Sequence, residues 1–215
     1  ETMQSLPLDA TEREKYLELM SVQALRMQDL VNDLLILSQL EGSNLPSSSD
    51  PVALDILMSG IESEARGLSE AQLHDGDDPQ VLHFEAPEGI QILGVAKELH
   101  SAISNLVNNA VRYTPAGGLI TALWTLLPDQ RIQFSVVDTG PGIASEHLPR
   151  LTERFYRVDR SRSRESGGTG LGLAIAKHVM QRHGGELKIE SELGKGSRFT
   201  LIFPASRVVT VASEN

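Results

Sequence analysis

The sequence predicts an α+β chain. It reads as a two-layer α/β sandwich, with helices on one face of a mixed sheet of about five strands, preceded by one long bundle helix. Three observations predict this. Apolar residues of the stretch 10–41 recur with a 3.5-residue period. From residue 52 onward, short runs suited to strands alternate with helical stretches. The last part carries two strand pairs, 119–126 with 131–137 and 186–191 with 198–203, each joined by turn residues.

Residues 1–5 read as a helix tail, which Leu6-Pro7-Leu8 breaks. Asp9 caps the next helix, with Glu12 three residues on completing a capping box. Leu17, Met20, Ala24, Met27, Val31 and Leu34 form the seam of a coiled coil or antiparallel bundle, and Leu30, Leu35 and Leu37 widen it. The alternative is a surface helix packed on its own domain. Gly42 stops the helix, and 43–51 is a linker rich in Ser and Pro. A short strand and a helix fill 52–73, a turn 74–79, strands about 80–85 and 90–93, and a helix 95–112 with Leu99, Ile103, Leu106 and Ala110 on one face. After the strand 131–137 come a glycine turn, a short helix from Ser145, an irregular segment 152–167 and a helix 170–183. The closing hairpin turns at Gly194-Lys195-Gly196, and 207–215 is expected as a tail.

The 215 residues are 40% hydrophobic and 22% charged, ordinary for a globular protein. With no cysteine, disulfide and thiolate chemistry are excluded. The net charge is −10, but residues 1–93 carry −14 and residues 94–215 carry +4. The second part therefore suits a polyanion such as a triphosphate. Nucleic acid is not expected as a partner, since 3 Tyr, 5 Phe and 1 Trp leave little for base stacking.

Three motifs in that second part point to a nucleotide. Asn105-Leu106-Val107-Asn108-Asn109 puts Asn105 and Asn109 on one helix face, where amide oxygens suit Mg²⁺. Arg112 and Tyr113 follow one turn on. Asp138-Thr139-Gly140-Pro141-Gly142 ends a strand whose Ile132, Phe134 and Val136 alternate inward, carrying Asp138 to the sheet edge, with Ile143 beyond. A carboxylate there can accept from an adenine amino group, and Gly140 and Gly142 let the chain turn against a flat ring. Gly168-Thr169-Gly170-Leu171-Gly172-Leu173 opens a helix, and its backbone N–H groups and dipole suit phosphate. This is neither a Walker A loop nor a Rossmann fingerprint. Between the last two motifs, Arg150, Arg154, Arg157, Arg160, Arg162 and Arg164 crowd a polar stretch expected as a mobile lid over the phosphates. Of these, Arg157 beside Phe155-Tyr156 is the one singled out for function.

The Asn helix, Asp138-x-Gly140-x-Gly142, Phe155-Tyr156-Arg157 and Gly168-x-Gly170-x-Gly172 resemble the N, G1, F and G2 boxes of bacterial sensor histidine kinases. Gly194-Lys195-Gly196-Ser197-Arg198-Phe199 resembles the hairpin closing their ATP-binding domain, and Leu151 through Asp159 resembles the phosphate-starvation branch. The resemblance implies a Bergerat (GHKL-type) fold and an ATP-dependent protein-histidine kinase. It divides the chain into a partial dimerisation bundle at 1–42, a linker at 43–51, a catalytic domain at 52–206 and a tail. ATP and Mg²⁺ are the implied cofactors, with Asn109 on the metal and Asn105 supporting it. Asp138 then meets the adenine, Tyr113 packs near the base, and Arg112 and Arg157 approach phosphate. Implied partners are a response-regulator receiver domain and, through the bundle, a second copy. The implied location is the cytoplasmic part of an inner-membrane protein, tied to the membrane only by a missing N-terminal part. None of the six His residues stands in the family's phosphoacceptor context, so this chain is expected not to phosphorylate itself. Two alternatives stand beside this: a hydrolytic ATPase of the same fold, disfavoured by Asn105 where a Glu would be the base, and a nucleotide-sensing module without phosphotransfer.

Overall fold

The structure is a computed structural model and describes residues 9–42, 50–158 and 168–211. The helix tail at 1–5, most of the linker, and the arginines at 160, 162 and 164 lie outside the described residues.

Helix α1 spans Ala10–Gly42. Its start is capped reciprocally: Glu12 N donates to Asp9 Oδ1 at 2.8 Å, and Asp9 N donates to Glu12 Oε2 at 3.2 Å. At 33 residues it is roughly 50 Å long. Most of its seam faces solvent, with Leu17 55% and Met27 67% exposed, whereas Leu37 and Leu40 are buried. The helix thus buries apolar side chains fully only near its C-terminal end among the described residues.

Strand β1 (Pro51–Ala53) leads into α2 (Leu54–Glu70), then β2 (Val81–Glu85), β3 (Ile90–Leu93) and α3 (Ala96–Tyr113). Next come β4 (Leu119–Leu126), β5 (Ile132–Asp138), α4 (Gly172–Arg182), β6 (Glu186–Glu192), β7 (Gly196–Phe203) and β8 (Val208–Thr210). The five-stranded sheet runs β2-β4-β5-β7-β6, parallel between β2 and β4 and antiparallel elsewhere. It is mixed, as expected. The other strands do not join it. They form a second, three-stranded sheet, β1-β3-β8. The expected tail therefore holds a strand, with Ile90 opposite Thr210 and Ile92 opposite Val208.

Side chains from α3 meet those of the sheet in one core. Leu99, Ile103 and Leu106 are fully buried with Ile120, Phe134 and Val136, and the Trp124 and Phe134 rings lie 5.1 Å apart. The helix expected from Ser145 is only a 3₁₀ turn, Leu148–Arg150. Pro149 explains this, because it has no N–H to donate one turn back. The last long helix starts two residues later than expected, since Gly170 holds φ +74°, outside the right-handed helical region. It ends at Arg182, and Gly184 just beyond takes the left-handed φ +71° common after a helix C-terminus.

Candidate nucleotide-binding site

β5 is central in its sheet, so Asp138 sits at the end of an inner strand, in register with Ile120 and Ser197. It is 6% exposed, and its Oδ1 accepts from Gly140 N at 2.8 Å. Burial raises its pKa above the usual carboxylate value, against the lowering effect of the Gly140 and Ser197 backbone N–H groups. A buried carboxylate with lone pairs left over is a strong acceptor for an amino group.

The glycines beside it also answer a steric need inside the protein. A Cβ on Gly142, which holds φ +67°, would lie 2.0 Å from Glu192 O. One on Gly140 would lie 2.8 Å from Asp138 Oδ1 and 3.0 Å from Tyr113 O. Their space is thus taken by the protein's own neighbouring atoms. Gly194 N donates to Pro141 O at 2.7 Å and Ile143 N to Ser191 Oγ at 2.8 Å, which pins the turn to the β6–β7 hairpin.

On α3, Asn105 and Asn109 are half-buried and line the same cavity as Asp138, with Asn108, Arg112 and Tyr113. Asn105 Nδ2 donates to Ser101 O at 2.8 Å. Its Oδ1 presses on the start of α4, where a Cβ on Gly172 would come within 2.3 Å. Leu171 is fully buried, its N–H donating to Thr169 Oγ1 at 3.2 Å, while Gly168, Thr169, Gly170, Gly172 and Leu173 line the cavity. Gly168 is the focus of the cationic end. The Arg112 Nη1, Tyr113 hydroxyl and Arg157 Nη2 atoms all lie within 4.0 Å of where its side chain would begin. Gly140 and Leu171 are the predicted site residues that do not line the cavity; they shape its walls from behind.

The segment before the glycine loop is tied down at several points. Phe155, at φ +62°, donates from its N–H to Gly170 O at 2.9 Å. The Tyr156 hydroxyl lies 2.7 Å from His147 Nδ1, and the Arg150 guanidinium stacks 4.2 Å above the Tyr156 ring. Arg154 pairs with Glu41 on α1. These arginines are therefore not simply solvated.

Sequence reasoning missed the third wall. Arg26, Asp29, Asn32 and Asp33 of α1 line the same cavity, whose volume is about 1830 Å³. Thr169 Oγ1 donates to Asp33 Oδ2 at 2.6 Å. Nothing in the heptad pattern marks Asp33, since the pattern reports only the apolar side of that helix. Among the described residues no group of three His, Cys, Asp or Glu side chains gathers to hold a metal, and the amide side chains facing the cavity from α3 are Asn105, Asn108 and Asn109.

Residues 94–207 match the family of histidine kinase-, DNA gyrase B- and HSP90-like ATPases, and the chain belongs to that family. Within it, the chain resembles sensor histidine kinases. It is 48% identical over 192 residues to the phosphate regulon sensor protein PhoR of Pseudomonas aeruginosa, covering 89% of this chain and 42% of that protein. It is 38% identical over 191 residues to the sensor-like histidine kinase SenX3 of Mycolicibacterium smegmatis, covering 88% of this chain and 48% of that protein. The chain thus spans less than half of either relative. Full-length ShkA, solved with AMPPNP, matches 98% of this chain and 42% of its own at a TM-score of 0.72 and 27% identity. Among the described residues no helix is long and apolar enough to cross a membrane.

Proposed function

We propose that the chain is the ATP-binding catalytic part of a two-component sensor histidine kinase. The observation that carries this is one cavity lined together by Asp138, Asn109, Arg112, Arg157 and the head of α4. One end offers a carboxylate to an adenine amino group. The other offers cations and backbone N–H groups to phosphates, the arrangement that phosphoryl transfer needs, since it depends on positioning and charge neutralisation. Tyr113 lies beside the base. The hard amide oxygens fit Mg²⁺, which Asn109 would hold with Asn105 in support, and the ion would neutralise charge on the phosphates. The γ-phosphoryl passes to a histidine on a bundle helix, and from there to a response-regulator aspartate.

By the same proposal α1 is the second helix of a dimerisation bundle, residues 43–51 link it to the catalytic domain, and the apolar seam of α1 receives a partner helix and a second copy. Resemblance to PhoR supports phosphate-starvation signalling and an attachment to the inner membrane in the longer protein.

The six His residues lack a phosphoacceptor setting: His183 is fully buried, and His147 is held by Tyr156. The chain therefore binds ATP without labelling itself, and labels a separate His-bearing bundle domain supplied in trans. Incubation with γ-labelled ATP tests both statements. Acid-labile label on this chain overturns the first, and an unlabelled bundle domain alongside measurable ATP binding overturns the second in favour of a nucleotide-sensing module.

A further inference from the structure

The acidic face of α1 reaches into the cationic end of the cavity. Asp33 is half-buried there and accepts from Thr169 Oγ1 at 2.6 Å; burial and the neighbouring Asp29 push its pKa up, against the Thr169 hydrogen bond and the attraction of Arg112. Thr169 Oγ1 in turn accepts from Leu171 N, one of the N–H groups at the head of α4. A carboxylate therefore occupies the place where the proposed function puts phosphate, on the same loop and beside the same arginine. Asp29, one turn earlier on α1, adds a second negative charge to that wall.

The same helix is fixed near its other contact. Leu37 and Leu40 are buried, and Arg182 donates to Leu40 O at 3.0 Å while holding both Glu98 carboxylate oxygens at 3.1 Å. Asp33 lies seven residues before Leu40, about 10 Å along the helix. A contact that yields and a contact that holds thus sit two turns apart.

We propose that Asp33 is a built-in competitor for the phosphate end of the nucleotide site: its carboxylate latches α1 to Thr169, and a nucleoside triphosphate must displace it, freeing α1 to swing about its anchor at Leu40 and Arg182. Occupancy of the site is then linked to the position of the helix, because a state whose donors are already engaged binds ligand only in proportion to its open fraction. This rests on the reading of the cavity as a nucleotide site.

The test is equilibrium binding of ATP, ADP and adenosine to the whole chain and to its Asp33→Ala and Asp33→Asn variants, with Mg²⁺ present. Asp33→Asn keeps the shape and an acceptor for Thr169 but removes the charge, so it serves also if the alanine variant folds poorly. Loss of a charge-assisted hydrogen bond predicts about tenfold tighter ATP binding by Asp33→Ala. Asp33→Asn gains less, ADP gains less than ATP, and adenosine is unchanged. Equal ATP affinity in all three proteins overturns the latch while leaving the site intact, as does a gain that is the same for adenosine. If no protein binds any of the three ligands, the nucleotide reading falls and the latch with it.

Discussion

Replacing Asp138 by Asn probes the proposed adenine contact at constant shape. Asp138 Oδ1 holds Gly140 N at 2.8 Å, and an Asn Oδ1 can keep that bond. The other oxygen then becomes an NH₂ group. Facing an adenine amino group, it sets donor against donor in a place where Asp138 is 6% exposed. The loss combines a hydrogen bond to a charged group, about 1.5–3 kcal/mol, with an unmatched buried donor, about 1–3 kcal/mol. The sum corresponds to about 10²-fold weaker ATP binding or more. Isothermal titration with ATP and with GTP reads it: ATP weakens, and the preference over GTP, whose ring offers a carbonyl at that position, collapses. An ATP dissociation constant within about threefold of the parent refutes the reasoning. Stability should move the other way. The folded pKa of Asp138 is raised, so its contribution favours folding below the unfolded value near 3.9 and is lost as pH rises through the folded value. At neutral pH the charge is a cost, and the Asn variant should melt no lower than the parent. ATP affinity of the parent should fall on acidification through the raised value, because a protonated Asp138 loses acceptor strength.

Gly142→Ala should cost at least about 2 kcal/mol in thermal unfolding, since its Cβ meets Glu192 O at 2.0 Å and φ is +67°. Arg157→Ala should weaken ATP about tenfold while leaving adenosine binding unchanged, because its guanidinium lies beside Gly168. Arg182→Ala should cost about 3 kcal/mol in urea unfolding, since it leaves Glu98, 16% exposed, without its partner and frees Leu40 O.

Much of this was legible because local chemistry and global fold agree. The Asp9 and Glu12 spacing foretells the reciprocal cap. The alternation of Ile132, Phe134 and Val136 foretells which face of β5 is buried and that Asp138 shares it. The N, G1 and G2 motifs foretell residues that do gather at one cavity. Three things were not legible, for physical reasons. β8 is a β-branched run, Val208-Val209-Thr210, too short to declare a strand until β3 offers its edge. What confines Gly140 and Gly142 was not legible either: only the folded hairpin sets Glu192 O and Asp138 Oδ1 where their side chains would begin. Asp33 is invisible because a heptad marks apolar partners, whereas the partner of Asp33 lies 136 residues away in the glycine loop.

The two ends of the cavity are built by different means, and this decides how each responds to change. At the Asp138 end, backbone touches backbone: Gly142 sits against Glu192, and Gly196 against Asp138 O, where a Cβ would fall 2.0 Å away. Such contacts have no rotamers to adjust, so a change there disturbs the fold before it disturbs binding. At the Gly168 end, side chains from α1, α3 and the loop converge: Asp33, Arg112, Tyr113 and Arg157. These are side-chain contacts, so a change there is expected to alter affinity more than the core. Under the proposed latch, the rigid Asp138 end would fix where the base lies, and only the adjustable end would have to trade a carboxylate for a phosphate.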